Sequence, residues 1–188
     1  MKGVCYMNQS ANNTEKKNVV TESCFDWVGA AVIALVAVSI LFTMFFRVVN
    51  VSGESMTNTL QDGERLILSR AFVSPKFGDI VVIHQENDEP LIKRVIGLPG
   101  DKIRIDDSKG KVILNGVELD EPYVRGGFTP SKGLNTVYTV PEGGIFVLGD
   151  NRSNSKDSRD LLDKITLKDV VGVVTYRLSP FEKVRNGE

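Results

Sequence analysis

No cysteine occurs after Phe46: the two in the chain, Cys5 and Cys24, both precede its most hydrophobic stretch. Disulfides therefore cannot staple the larger part of the chain, and neither a cysteine nucleophile nor a thiolate metal site is available there. Histidine is almost as scarce, with His84 alone, so a zinc site would need carboxylates nearly unaided and is not expected. Charge of one sign is not in excess either. Lys and Arg number 23 against 24 Asp and Glu among 188 residues, and no basic stripe marks a nucleic-acid footprint. Nucleic acid is not an expected partner. No internal repeat is visible, which leaves one folded domain with an appendage.

Charge is missing altogether from Trp27 to Phe46, where Ser39 and Thr43 are the only polar side chains. A helix of that length spans the roughly 30 Å hydrocarbon core of a bilayer. A core helix of a soluble domain usually shows a polar face, which this stretch lacks. A cleavable signal peptide would have a shorter apolar region near the start and a small-x-small site, whereas here Val48 and Asn50 precede Val51. The sequence thus predicts a tail over 1–26, an uncleaved single-pass anchor over 27–46 in a lipid bilayer, and an extramembrane domain over 47–188. Lys16 and Lys17 before the stretch balance Arg47 and Arg65 after it, so charge does not orient it.

After Phe46 short β-branched runs alternate with Gly, Pro, Asp and Asn. Strands are predicted at Arg65 to Leu68, Ile80 to His84, Ile92 to Ile96, Lys102 to Ile105, Lys111 to Leu114, Ile145 to Leu148 and Val170 to Arg177. Between the fourth and fifth, Asp106-Asp107-Ser108-Lys109-Gly110 is a hairpin signal. Such spacing, without helical patterns in between, predicts a mainly β fold: an antiparallel sandwich or barrel.

Three clusters carry polar chemistry. In Ser52-Gly53-Glu54-Ser55-Met56-Thr57-Asn58-Thr59-Leu60, Ser55 fits either a helix N-cap or a nucleophile, whose own N–H would help hold an oxyanion. A serine nucleophile needs a base. His84 ends an apolar run and reads as a strand-end histidine. Lys93 is the alternative, because a lysine desolvated among apolar side chains can be neutral near pH 7. In Leu91-Ile92-Lys93-Arg94-Val95-Ile96, alternation sets Lys93 with Leu91 and Val95, and Arg94 with Ile92 and Ile96, although both cations also fit a solvated strand. The third cluster, Gly149 to Arg159, is dense in donors and acceptors. It fits a surface loop or a device that orients a base and pairs buried charges.

Together, the clusters behind an anchor resemble the type I signal peptidases. The motifs that carry the likeness are Ser-Gly-x-Ser-Met-x-x-Thr-Leu at Ser52 to Leu60, Gly-Asp-Ile-Val-Val at Gly78 to Val82, Lys-Arg-Val-Ile-Gly-Leu-Pro-Gly-Asp at Lys93 to Asp101, and Gly-Asp-Asn-Arg-x-Asn-Ser-x-Asp-Ser-Arg at Gly149 to Arg159. The resemblance implies a Ser55 nucleophile with its backbone N–H in the oxyanion hole, a Lys93 general base, and Met56 against substrate. It also implies Ser155 positioning the Lys93 amine, and supporting ion pairs of Asp150 with Arg94 and Asp157 with Arg159. It further implies a monomeric enzyme, without metal or organic cofactor, on the outer face of a bacterial plasma membrane that cuts signal peptides from secretory preproteins. Asn58 stands where the family usually has proline, which predicts a looser turn, and Gly53 matches the shorter Gram-positive form. Two other readings are a self-cleaving Ser-Lys protease of the repressor type, which the anchor disfavours, and a membrane-anchored β-domain that binds exported proteins without cutting them.

Overall fold

The computed structural model describes residues 8–70, 74–86 and 88–184, and the chain divides between Met44 and Phe45 into two compact units. In the first, helix α1 runs from Asn8–Phe45. Its segment Trp27–Phe45, 19 residues with a mean hydropathy of 2.6, is long and apolar enough to cross a membrane. None of that segment is buried in protein, whereas the core helix of a soluble domain is mostly buried. The two hydroxyls are satisfied within the helix itself: Ser39 Oγ donates to Leu35 O at 2.8 Å and Thr43 Oγ1 to Ile40 O at 2.8 Å. The helix begins well before Trp27, and it stops one residue short of the expected anchor, because Phe46 already opens the first strand.

The second unit is antiparallel β throughout, as the spacing of the runs predicts. Its larger sheet comprises β1 (Phe46–Asn50), β2 (Arg65–Ser69), β3 (Ile80–Ile83) and β4 (Leu91–Gly97). A smaller sheet follows in sequence, with β5 (Lys102–Asp106), β6 (Lys111–Leu114), β7 (Val117–Glu118) and β8 (Tyr138–Thr139). The chain then returns to the larger sheet as β9 (Phe146–Leu148), β10 (Val170–Leu178) and β11 (Phe181–Lys183). The larger sheet is ordered β1-β2-β10-β3-β4-β9 with β11 on β10, and the smaller is ordered β7-β6-β5-β8. All seven predicted strands form, within a residue at their ends. The four that escaped notice, β1, β7, β8 and β11, are short or lie in sequence without a clear apolar period.

The centre of the larger sheet is buried on both faces, which explains why Ile80-Val81-Val82-Ile83 is apolar without alternation. Ile80 and Val82 face one apolar cluster with Leu66, Leu68 and Ile92, while Val81 and Ile83 face another with Val95 and Val147. A third cluster, including Ile96 of β4, Phe146 of β9 and Ile103, Ile105 and Val112, joins the two sheets. The β5–β6 turn behaves as its sequence demands: Gly110 has a φ of +63° and its N–H donates to Asp106 O at 2.7 Å. A Cβ there would also run into the Phe128 ring. Gly110→Ala should therefore cost about 2 kcal/mol or more, read as a lowered thermal midpoint.

Candidate active site

Strand β4 is the frame of the site. It places Lys93 and Arg94 side by side on a strand buried on both faces, with Lys93 2% and Arg94 1% exposed. Arg94 lies opposite Leu148 of β9, so the chain leaving β9 at Gly149 emerges beside the Arg94 side chain. The 149–159 loop is delivered there by sheet register. Ser55 arrives from the other side, on a turn pinned by the core residues Val51, Met56 and Leu60 that flank it. Leu60 N–H donates to Met56 O at 2.9 Å, closing one helical turn. Ser55 does not cap it. Its Oγ instead accepts a hydrogen bond from Lys93 Nζ at 2.7 Å.

Lys93 Nζ has a second acceptor, Ile92 O, at 2.9 Å. Burial pulls the Lys93 pKa down to about 8, against the opposing charges of Asp157 and Asp150, which favour the ammonium. A large share of the side chain is thus neutral amine in mildly alkaline solution, in hydrogen-bond contact with a hydroxyl.

The carboxylates near it are each engaged by an arginine fork. Arg94 donates from Nε to Asp150 Oδ1 at 2.9 Å and from Nη2 to Asp150 Oδ2 at 2.7 Å, and from Nη1 to Gly78 O at 2.8 Å. Thr59 Oγ1 donates to the same Asp150 Oδ2. Arg159 donates to Asp157 at 2.8 Å from both Nε and Nη2, and to the carbonyls of Pro130 and Arg152. Burial alone would raise the Asp157 pKa; the Arg159 guanidinium outweighs it and holds the carboxyl below the usual range. Both expected pairs are present and fully buried.

A third buried pair was not foreseen. Arg152 donates from Nη2 to Glu121 Oε1 at 2.6 Å, from Nη1 to Thr129 Oγ1 at 2.6 Å and from Nε to Gly149 O at 2.8 Å. Tyr123 OH donates to Glu121 Oε1 at 3.0 Å, and its ring lies 4.0 Å from the Arg94 guanidinium carbon. Burial, reinforced by the Glu121 charge, pushes the Tyr123 phenol up, so it remains a donor. Asn151 was also missed. Its N–H donates to Ser55 O at 3.0 Å and its Nδ2 to Glu54 O at 3.1 Å, clamping the turn that bears Ser55. For Asn151 and Arg152 the sequence signal was their place in the donor-rich 149–159 loop, which Glu121, Tyr123 and Thr129 lie outside.

The structure also locates the remaining expected residues. Ser155 is buried in the site against Gly149, where its hydroxyl helps hold the Asp157 carboxyl low, and it makes no hydrogen bond to Lys93. Met56, expected against substrate, is 1% exposed and packs in the core beneath the turn. His84 directly follows β3 and is exposed to solvent, close to the strand-end position predicted for it. The Ser55 N–H, expected in the oxyanion hole, has no acceptor among the described residues. Close to the Ser55 turn, an open groove of about 580 Å³ is lined by Val48, Asn50, Ser52, Val82, Pro90 and Ile92, among others.

The sequence pattern described as signal peptidase, peptidase S26, matches residues 24–179. Signal peptidase I of Bacillus licheniformis is 38% identical over 184 residues, covering 92% of this chain and 96% of that protein. The chain belongs to the signal peptidase family, peptidase S26. Signal peptidase I T of Bacillus subtilis (strain 168) is 34% identical over 95% of this chain and 96% of its own. Signal peptidase IB of Staphylococcus aureus is 32% identical over 86% and 92%. A solved signal peptidase I of Enterococcus faecalis V583 is 31% identical, covering 56% of this chain and all of its own, with a TM-score of 0.44. The S26 peptidases are serine-type enzymes, and this chain is one of them.

Against the family pattern, the turn after Ser55 is instructive. Asn58 has a φ of +102°, and Gly53 one of +84° with its N–H on Asp62 Oδ1 at 2.8 Å. Proline is fixed near −65° and cannot adopt the Asn58 conformation, whereas asparagine tolerates positive φ. Asn58 thus sits in a turn whose conformation a proline at that position could not take. Asn58→Pro should therefore destabilise the protein by more than about 1 kcal/mol, while Asn58→Gly keeps its thermal midpoint, as differential scanning fluorimetry can measure.

Proposed function

We propose that this S26 peptidase is a membrane-anchored signal peptidase that removes signal peptides from secretory preproteins through a Ser55/Lys93 dyad and an acyl-enzyme. The observation that carries the reading is the 2.7 Å contact between Ser55 Oγ and a Lys93 amine that is buried and of lowered pKa. In the neutral form the amine lone pair accepts the Ser55 hydroxyl proton at that separation, and Oγ attacks the scissile carbonyl carbon. The carbonyl π electrons move to oxygen, and the Ser55 N–H donates to the resulting oxyanion. Collapse expels the amine of the mature chain, which takes its proton from the Lys93 ammonium. Neutral Lys93 then takes a proton from water, the hydroxide attacks the ester, and Ser55 leaves with the proton returned by Lys93.

The groove floor of Val82 and Ile92 suits an extended substrate segment with small side chains. Helix α1 holds the enzyme in the plasma membrane as a single-pass anchor, with 47–188 on the extracytoplasmic side where exported chains emerge. Ser55 follows Phe45 by a tether of at most about 35 Å, so a precursor whose own apolar segment is still in the bilayer remains within reach. The supporting pairs Asp150–Arg94 and Asp157–Arg159 fix the loop and limit the charge felt by Lys93, and Ser155, buried on the same loop, positions the Lys93 amine in the reacting enzyme. The enzyme acts as a monomer without metal or cofactor.

Ser55→Ala and Lys93→Ala should each abolish cleavage of a secretory precursor by the detergent-solubilised full chain, and retained cleavage by either overturns the dyad. A labelled acylating inhibitor should modify Ser55; a folded chain that cuts nothing and takes no label would be a binding protein instead. Because Lys93 must lose its proton to act as base, kcat/KM should rise with pH and level off above about 8.

A further inference from the structure

The segment after β7, Glu121 to Arg125, leaves the smaller sheet and docks on the back of the 149–159 loop. Arg125 N–H donates to Asp150 O at 2.9 Å, the Glu121 carboxylate takes the Arg152 fork, and between them the Tyr123 ring covers the Arg94 guanidinium at 4.0 Å. Arg94 is 1% exposed although Tyr123 is only half-buried, so the ring stands between the guanidinium and solvent. An aromatic face over a desolvated guanidinium attracts it and restrains its plane. That plane already carries a bidentate bond to Asp150 and one to Gly78 O, so any tilt weakens three hydrogen bonds together. The next residue, Asn151, holds Ser55 O and Glu54 O.

We infer that Tyr123, oriented by Glu121 and Arg152, is a positioning residue of the active site: it locks the Arg94–Asp150 pair and, through Asp150 and Asn151, the turn that carries Ser55. Its hydroxyl selects the orientation by donating to Glu121, and its ring does the locking. An apolar filler would occupy the space without doing either. The charged groups around Lys93 are Asp150 and Asp157, with their partners Arg94 and Arg159. A loosened Arg94 neutralises Asp150 less well and admits water, and both effects favour the Lys93 ammonium. Removing the ring therefore raises the proton affinity of Lys93; it does not lower it.

The inference builds on the proposed dyad, yet one of its readouts is independent of catalysis. Full-length wild type, Tyr123→Leu and Tyr123→Phe are compared in detergent by thermal midpoint, by kcat and KM on a secretory precursor, and by titration of 15Nζ-lysine signals, with Lys93 assigned from Lys93→Ala. Tyr123→Leu is expected to stay folded, to lose about 10- to 100-fold in kcat with KM little changed, and to move the Lys93 midpoint and the rising limb of the pH profile to higher pH. Tyr123→Phe, which keeps the ring, is expected to recover most of both. Should Tyr123→Leu fail to fold, Tyr123→Met carries the same comparison with a better-filled site. A folded Leu or Met variant whose Lys93 midpoint matches wild type overturns the inference. Failure of wild type to cut the precursor overturns the proposed function instead, and the titration still decides the role of Tyr123.

Discussion

A lysine amine at 2% exposure is the constraint around which this domain is organised. In water Lys93 would be an ammonium at any physiological pH; removed from water, it gives up its proton near pH 8. Keeping it dry requires a central strand covered on both faces, and β4, between β3 and β9, is such a strand. Keeping it from being recharged is harder. Two carboxylates stand close enough to favour the ammonium, and without partners they would offset the desolvation. Each is therefore held in a bidentate arginine fork, so the amine sees nearly neutral pairs in place of bare anions.

This explains why a loop of so polar a composition is buried. Loops normally run over the surface because their backbone groups need water. In 149–159 only Ser153, Asn154 and Lys156 are exposed, and the rest is packed inside. Buried ion pairs are poor sources of stability, since desolvation consumes most of their attraction. What they supply here is geometry: three forks with fixed planes orient one loop from three sides. Gly149 is where that packing is tightest. A Cβ on it would lie 2.5 Å from Ser55 O and strike the Ser155 side chain, so the close approach of loop and nucleophile turn depends on the missing side chain.

Fold and site were legible to different depths for one reason. Period and composition report which way a residue faces, and that was enough for seven strands, the apolar helix and the antiparallel class. They do not report partners distant in sequence. Ser55 read equally well as a helix cap because the bond that decides the matter spans 38 positions to Lys93. Lys93 and Arg94 also fitted a solvated strand, because alternation sends neighbours to opposite faces and does not report what covers each; both faces of β4 are buried. The ion pairs of Asp150 and Asp157 that the resemblance implies are formed. Met56 packs in the core of the turn, and Asn58 takes a backbone conformation closed to proline.

The side chains that enclose the site, foreseen and unforeseen, share a physical task. A chain that crosses between sheets leaves carbonyls without ladder partners, and each buried one must find a donor. Gly78 O takes Arg94, Gly149 O takes Arg152, Pro130 O and Arg152 O take Arg159, Ser155 O takes Lys132, and Glu54 O takes Asn151. Arginine suits this work because its five donors can satisfy a carboxylate and a carbonyl at once. The same side chains that temper the charge around Lys93 thereby hold the backbone of the loops that enclose it. Electrostatic tuning and loop placement are one device, and a change that disturbs either disturbs both.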